Sequence, residues 1–542
     1  MPFEVTLTRQ QVDRNVAGGW WRNRLLNDYL REAVERHPDK WAATDSRGRL
    51  TYAELGRLAE CAALGFLELG VRRGDVVSVQ LPNWNEFVVT TLALERIGAA
   101  INPIAPIYRA REILAMLALA RPVAVITAAS FRGWDYVAMY DSLWQEVPSL
   151  RAGLVVDGPG GGHWTAWPEM LELGARRQDL RAALDWLRPD PDEVSELMFT
   201  SGTTGQPKGV MHTANTLGCA AEGAIAGQRL GEADVCHMAS TFAHQTGFCY
   251  GIHLPIHLGA SAVYQDVWAP ERFVELVDEH GITFTMGATP FVADTLRAVR
   301  GKEAALATLR TFISAGAPIP VPVAEEVSRR LSCHLAAGWG MTENGLVTAV
   351  FPGDPPEKVV TSDGRPHPGM EVRVCDSSRN PLPPGQEGDL YARGPFTFVG
   401  YVQGRAFTEP FFDPEGWFTT GDRAIMDAEG FIRISGRTKD IIIRGGENIP
   451  VKEIEDLVLR HPAVREVALI AVPDERLGER ACACVVLEEG ASFNVEQLRA
   501  HLREHRVTPQ LWPERVEVMA ELPMTPSGKV QKFRLRESVT SR

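Results

Sequence analysis

The stretch Thr200-Ser-Gly-Thr-Thr-Gly-Gln-Pro-Lys-Gly209 follows the apolar run Leu197-Met-Phe199. It packs four hydroxyls, three glycines and one lysine into ten residues. An apolar run that ends in such a loop reads as a strand handing the backbone to a turn. Glycine lets backbone N–H groups approach an anion closely, the hydroxyls add donors, and Lys208 adds charge. The loop suits the phosphates of a nucleotide, although a plain surface loop has the same composition. It does not meet the GxxxxGK[ST] pattern, because Lys208 is followed by Gly209 and the glycines are spaced differently. The common P-loop folds are therefore set aside.

A chain of 542 residues exceeds what one core usually serves. Domains run to ~100–200 residues, so two to four are expected. The formal net charge of −13 argues against a general nucleic-acid binder. The eight cysteines show no CxxC pair and no Cys/His ligand spacing, so no zinc site is expected. Cys482 and Cys484 lie in an apolar alternation, which puts both on one face of a strand. Scattered cysteines fit a reducing cytosol. Residues 1–27 carry charges throughout and read as no signal peptide. No apolar run approaches the ~20 residues that span a bilayer. A cytoplasmic protein is expected.

Helix and strand signals alternate along the first part. Thr51-Tyr-Ala-Glu54 has the form of a capping box, followed by Leu55, Leu58, Ala62 and Phe66 on one helical face. Strand-like 76–81, helix-like 86–97 stopped by Gly98, and strand-like 99–103 continue the rhythm, which predicts parallel sheet with crossover helices. A second α/β stretch is predicted after Glu193, with helices over 271–279 and 324–331 and strands over 282–286 and 333–337. From about Val359 short strand runs among glycines and prolines predict an antiparallel region. The last hundred residues carry a helix over 451–459, strands over 467–472 and 481–487, and a helix opened by Asn494-x-x-Gln497. Gly158-Pro-Gly-Gly-Gly162 reads as an exposed loop.

Several further strings stand in a fixed order after the loop: Phe242-Ala-His-Gln-Thr-Gly247, Ala315-Gly-Ala-Pro318, Gly338-Trp-Gly-Met-Thr-Glu343, Thr420-Gly-Asp422, Gly436-Arg-Thr-Lys-Asp-Ile-Ile-Ile-Arg-Gly-Gly-Glu-Asn448 and Pro523-Met-Thr-Pro-Ser-Gly-Lys-Val530. Taken singly most are weak, since Gly-Asp is common in turns and a lone His or Lys is usually structural or solvated. Together with the loop, the set resembles the acyl-adenylate-forming superfamily, which includes acyl-CoA synthetases, luciferases and peptide-synthetase adenylation domains. The opening segment is similar to bacterial ligases for alicyclic, aromatic or medium-chain acids.

The resemblance implies an α/β fold. It consists of a large N-terminal AMP-binding domain (1–437) of α/β subdomains plus a β-rich subdomain, and a small mobile C-terminal α+β domain (438–542) hinged at Lys439. It implies ATP binding by Thr200, Ser201, Gly202, Thr203, Thr204, Gly205, Gly316, Ala317, Pro318, Trp339, Gly340, Asp422 and Arg437. Trp339 stands where the family carries Tyr or Phe. Asp422 is implied at the ribose, Thr342 at the α-phosphate, Glu343 at Mg²⁺, and Lys208 and Lys529 as catalytic lysines. Gly445 and Gly446 fall where the thiol tunnel of coenzyme A forms. His244, Gly247, Gly287, Ala288, Gly338 and Met341 are the acyl-pocket candidates. They are mostly small, and the sequence around His244 offers no acidic residue to hold an amino group, so an uncharged acyl chain or ring is expected.

The implied reaction joins a carboxylic acid to CoA through acyl-AMP, with ATP and Mg²⁺. Both reactants of the first step are anions, so cations must offset their repulsion at the α-phosphorus. A ligase that loads a carrier protein, an oxygenase acting on the adenylate, and a non-catalytic nucleotide-binding regulator remain open at this point, as does a monomer or homodimer.

Overall fold

The computed structural model describes residues 3–540 except 201–206, 317–318, 438–441, 445–446, 450, 475–477, 506, 508 and 525–528. Two compact units emerge. The larger holds 1–359, 366–371 and 393–416, and the smaller holds 360–365, 372–392 and 417–542.

Among the described residues the larger unit carries two large sheets and a small two-stranded one, Ser130–Phe131 with Trp134–Asp135. In the first, Val76–Gln80, Ala100–Pro103, Ala124–Ala128 and Ala152–Val156 run parallel. Two helices next to these strands start or stop where the sequence predicts. Thr51 and Glu54 close a capping box on helix Tyr52–Glu68, and Gly98, at φ +71, follows helix Asn85–Arg96. A left-handed residue at this point is what glycine supplies. Val194–Thr200 joins the same sheet beside Ala100–Pro103 and turns back through an antiparallel hairpin onto Lys208–Thr213. The strand that opens the second predicted α/β stretch thus joins the first sheet, because it pairs in parallel with the distant strand Ala100–Pro103. The short strand Gly400–Tyr401 borders the hairpin.

The second sheet orders Arg49–Thr51, Trp41–Thr44, Ser261–Tyr264, Val235–Met238, Phe284–Gly287, Thr311–Ala315, His334–Met341 and Gly345–Ala349 as neighbours. Its central strands are parallel. Helices Pro270–His280, Thr289–Ala298 and Val321–Arg330 cover it through a core that includes Phe273, Val277, Leu296, Phe312, Val327 and Leu335. Burying each such side chain contributes ~1.5–3 kcal/mol.

The smaller unit contains the antiparallel region expected from residue 359 onward, with Glu387–Arg393, Phe418–Met426 and Ile432–Arg437 paired in sequence. It also contains the C-terminal α+β segment, so the expected boundary at 437/438 lies within this unit. Arg433 on the last of those strands stands 3.8 Å from Asp456 on helix Val451–Leu459. The long hairpin Val464–Asp474/Gly478–Leu487 is covered on both faces. Ala481, Ala483 and Val485 pack with Ile454 and Val458, while Cys482 and Cys484 share the opposite face with Leu535 of helix Lys532–Thr540. All eight cysteines are free thiols. Among the described residues no helix is long and apolar enough to cross a membrane.

Candidate functional site

The motif residues of the larger unit gather at the carboxyl ends of neighbouring parallel strands, the edge where open α/β sheets bind ligands. Gly287 stands beside Ser314, and Ala315 beside Gly338. The register therefore aligns Gly287-Ala288, Ala315-Gly316 and the start of Gly338–Met341. Val235–Met238 lies next to Phe284–Gly287, so the segment leading to His244 leaves from the same edge. Gly316 has φ +91, a conformation that turns the chain out of its strand. Gly247 and Gly340 are glycines for a different reason: a Cβ on either would strike backbone, at Thr241 and Gly345 respectively. Trp339 is nearly buried, and Gly340, Met341 and Thr342 are half-buried. Thr200 ends its strand. Ser201, Gly202, Thr203, Thr204, Gly205, Ala317 and Pro318 lie outside the described residues.

Glu343 sits in the turn between His334–Met341 and Gly345–Ala349, and it is buried. Three long-range contacts hold this turn. Tyr401 Oη donates to Glu343 Oε1 at 2.8 Å. The Phe398 amide donates to the Glu343 carbonyl at 2.7 Å. His212 Nε2 lies 2.7 Å from the Thr342 carbonyl. Burial and then the adjacent Glu343 charge push the Tyr401 hydroxyl well above the usual phenol range, so it remains a donor. Tyr401 is the cross-strand partner of Val210, two residues beyond Lys208. The Lys208 ammonium lies 4.1 Å from the Phe411 ring centroid and 5.1 Å from that of Tyr401. A cation and a carboxylate are thus assembled around one tyrosine ring beside the phosphate-loop strands. Such a pair suits a polyphosphate carrying a divalent cation. Mg²⁺ is commonly held by one or two carboxylates plus substrate phosphates, and a Glu343 oxygen fits that demand.

His244 caps the short helix Gln245–Phe248, its Nδ1 accepting from the Thr246 amide at 3.3 Å. The sequence offers no acid near His244, yet the fold brings Glu196 to its neighbour Gln245. With the Gln245 amide nitrogen turned toward the carboxyl, Nε2 lies 3.2 Å from both Glu196 oxygens. Glu196 is fully buried, and burial pushes its pKa up to about 8. The shift favours its neutral form near pH 7, which makes it a poor counter-ion for an ammonium substrate.

In the smaller unit, Thr420-Gly-Asp422 lies inside strand Phe418–Met426 rather than in a turn. Gly421 takes φ +76 there, and the Asp422 amide donates to Thr420 Oγ1 at 3.1 Å. Asp422 and Arg437 face each other across the ladder. The side chain of Arg437 and all of Lys439, Gly445 and Gly446 lie outside the described residues. The strands Ile442–Arg444 and Glu447–Ile449 pair antiparallel. Lys529 is half-buried, one residue before Val530, which bridges to Met524.

Tyr401, His212 and Glu196 escaped the sequence reading. Each acts through a partner far along the chain, and only the Gly-Tyr dipeptide or a polar residue inside an apolar strand hinted at them.

The sequence matches the AMP-binding enzyme family over residues 30–402 and the AMP-binding enzyme C-terminal domain over 453–529. It is 36% identical to the medium-chain fatty-acid–CoA ligase of Escherichia coli (strain K12), covering 100% of this chain and 95% of that protein. It is 32% identical to the salicyl-AMP ligase / salicyl-S-ArCP synthetase of Mycobacterium tuberculosis, covering 95% of this chain and 91% of that protein. The fold is similar to ATP-bound MatB from Rhodopseudomonas palustris, with a TM-score of 0.85 at 27% identity, over 95% of this chain and 99% of that one.

Proposed function

The chain belongs to the AMP-binding enzyme family, whose members adenylate acyl or aryl acids, and from that premise we propose that it joins a carboxylic acid to coenzyme A. A carboxylate oxygen attacks the α-phosphorus of ATP, the bond to the β-phosphate bridge breaks, and acyl-AMP and pyrophosphate form. The CoA thiol then attacks the acyl carbon, loses its proton, and AMP departs. The observation that carries this reading is the placement of Lys208 and Glu343 around Tyr401 beside the phosphate-loop strands. Lys208 offsets phosphate charge as the anions approach. Mg²⁺, when bound with ATP at Glu343, neutralises further phosphate charge. Tyr401 keeps the Glu343 carboxylate aimed. Trp339, Gly316, Asp422 and Arg437 take the nucleotide, Thr342 the α-phosphate, and Lys529 the reacting carboxylate. We assign the small residues at the strand ends, with His244, to the acyl pocket. We assign Gly445 and Gly446 to the thiol path, and Lys439 to a hinge between 1–437 and 438–542 that exchanges the two half-reactions.

A medium-chain, alicyclic or aromatic acid is the substrate class we favour. Its support is the full-length similarity to the medium-chain ligase and the neutral state of Glu196. A carrier-protein thiol as acceptor is the second reading, favoured by the similarity to the salicyl-S-ArCP synthetase. The test is a carboxylic-acid panel scored by pyrophosphate release, with CoA-dependent AMP release scored alongside. Release with an acid alone and AMP on adding CoA is the expected result. Pyrophosphate without CoA-dependent AMP would move the acceptor to a carrier protein, and no pyrophosphate with any acid would overturn the reading.

A further inference from the structure

Toward the end of the phosphate-loop hairpin remote from Lys208 lies a buried polar pair. Glu196 and His212 are direct cross-strand partners in Val194–Thr200 and Lys208–Thr213. Residues opposite each other across an antiparallel ladder project to the same face. Both are essentially inaccessible, at 0% and 1% exposure. An apolar pair would be the ordinary filling of such a site, since each unpaired polar group costs free energy when buried.

Each member instead reaches out of the hairpin to a different segment of the site. His212 Nε2 meets the Thr342 carbonyl at 2.7 Å, and Nδ1 meets Thr216 Oγ1 at 3.0 Å. A carbonyl only accepts, so Nε2 carries the proton and Nδ1 accepts from the Thr216 hydroxyl. Burial lowers the His212 pKa to about 4, which keeps the ring neutral, and the Thr342 carbonyl selects its tautomer. Glu196 takes the other direction, to the Gln245 amide next to His244. One face of two strands thus touches both the turn that carries Glu343 and the helix that His244 caps.

We propose that His212 and Glu196 are positioning residues, His212 fixing the Thr342–Glu343 turn and Glu196 fixing the His244–Gln245 segment against the phosphate-loop hairpin. The hairpin then sets the place of the loop, the metal-binding turn and the acyl-pocket helix together. Neither side chain is assigned a contact with substrate. The inference rests on the functional reading above.

The two arms predict opposite kinetic signatures. His212→Leu and His212→Asn leave the Thr342 carbonyl without its donor, and the Asn amide ends at the level of Nδ1. Both should raise KM for MgATP about 10-fold or more, with KM for the acid within about 2-fold, as expected for loss of a buried hydrogen bond acting on one segment. His212→Gln places an amide donor near Nε2 and should recover most of the loss. Glu196→Leu should raise KM for the acid and leave KM for MgATP near wild type, and Glu196→Gln, an amide in place of a neutral carboxyl, should restore it.

Titration calorimetry of the nucleotide, with Mg²⁺ and with EDTA, supplies a readout independent of turnover. His212→Asn should weaken MgATP binding more than metal-free ATP binding, and His212→Gln should not. If His212→Leu fails to fold, the Asn and Gln variants carry the same comparison. Wild-type protein that binds no MgATP would overturn the functional reading itself. Wild-type binding with equal effects of Asn and Gln, or with both KM values moved alike by either arm, would overturn the positioning roles alone.

Discussion

The two units differ in how far burial shifts their imidazoles. The larger holds His212, His237, His253 and His257 with their side chains buried. Burial lowers the first three to about 4, 3 and 3 and the last well below its usual value. In the smaller unit His461 is lowered by burial but only half-buried. The larger unit thus buries several neutral histidines, whereas the smaller sets one buried imidazole, His501 with Nε2 2.8 Å from the Leu457 carbonyl, beside an aliphatic and thiol core. The two units should therefore differ in acid sensitivity.

A histidine whose folded pKa is depressed contributes full stability above the unfolded value near 6.5, and that contribution is lost as pH falls toward the folded value. Between pH 6.5 and 4, His237 and His253 should each cost the larger unit about 3 kcal/mol. Hydrogen exchange followed by mass spectrometry down that range should show the larger unit losing protection first. Simultaneous loss in both units, or earlier loss in the smaller, would break the comparison.

Glu196 sharpens it from the alkaline side. Its folded pKa is raised to about 8, so its contribution is complete below about 4.5 and is lost as pH rises through 8. Over that window wild-type stability should fall by about 4 kcal/mol relative to Glu196→Gln. Denaturant midpoints at pH 5 and pH 8 measure the difference. Parallel slopes for the two proteins would show that Glu196 is ionised in the folded state.

The adenylation role proposed for Lys529 gives the next test. Lys529→Ala should lower acyl-AMP formation about 100- to 1,000-fold, as removal of a transition-state charge does, and leave thioester formation from supplied acyl-AMP intact. Equal loss in both half-reactions would assign the lysine to the whole cycle instead of to adenylation.

Much of this was legible in the sequence, for local reasons. The capping boxes at Thr51 and Asn494, the stop at Gly98 and the shared face of Cys482 and Cys484 are set by residues within one or two turns. The motif strings also point to Gly287, at the end of its strand, and to Gly316, just past its strand. What escaped lies in contacts across the fold: Tyr401 to Glu343, His212 to Thr342, Glu196 to Gln245. No periodicity records which strand edge a buried polar residue will meet. The placement of Val194–Thr200 in the first sheet escaped for the same reason, because sheet membership is decided by pairing and not by the rhythm of helix and strand.

Lys532 offers the smallest and most local comparison, three residues from Lys529. Its ammonium lies 2.7 Å from Glu455 Oε1, with side-chain exposures of 17% and 12%. The same carboxylate oxygen accepts from the Leu469 amide at 2.8 Å, so Glu455 ties helix Val451–Leu459 to the neighbouring hairpin and to the last helix. Removing the lysine leaves a mostly buried carboxylate short of one partner, which costs about 1–2 kcal/mol when water can still reach it. Lys532→Ala should therefore lower the denaturant midpoint of the smaller unit while adenylation proceeds at the wild-type rate, and Lys532→Arg should recover the midpoint. A fall in adenylation with no change in midpoint would move Lys532 from the frame of the unit to its chemistry, and the two lysines would no longer divide structure from function.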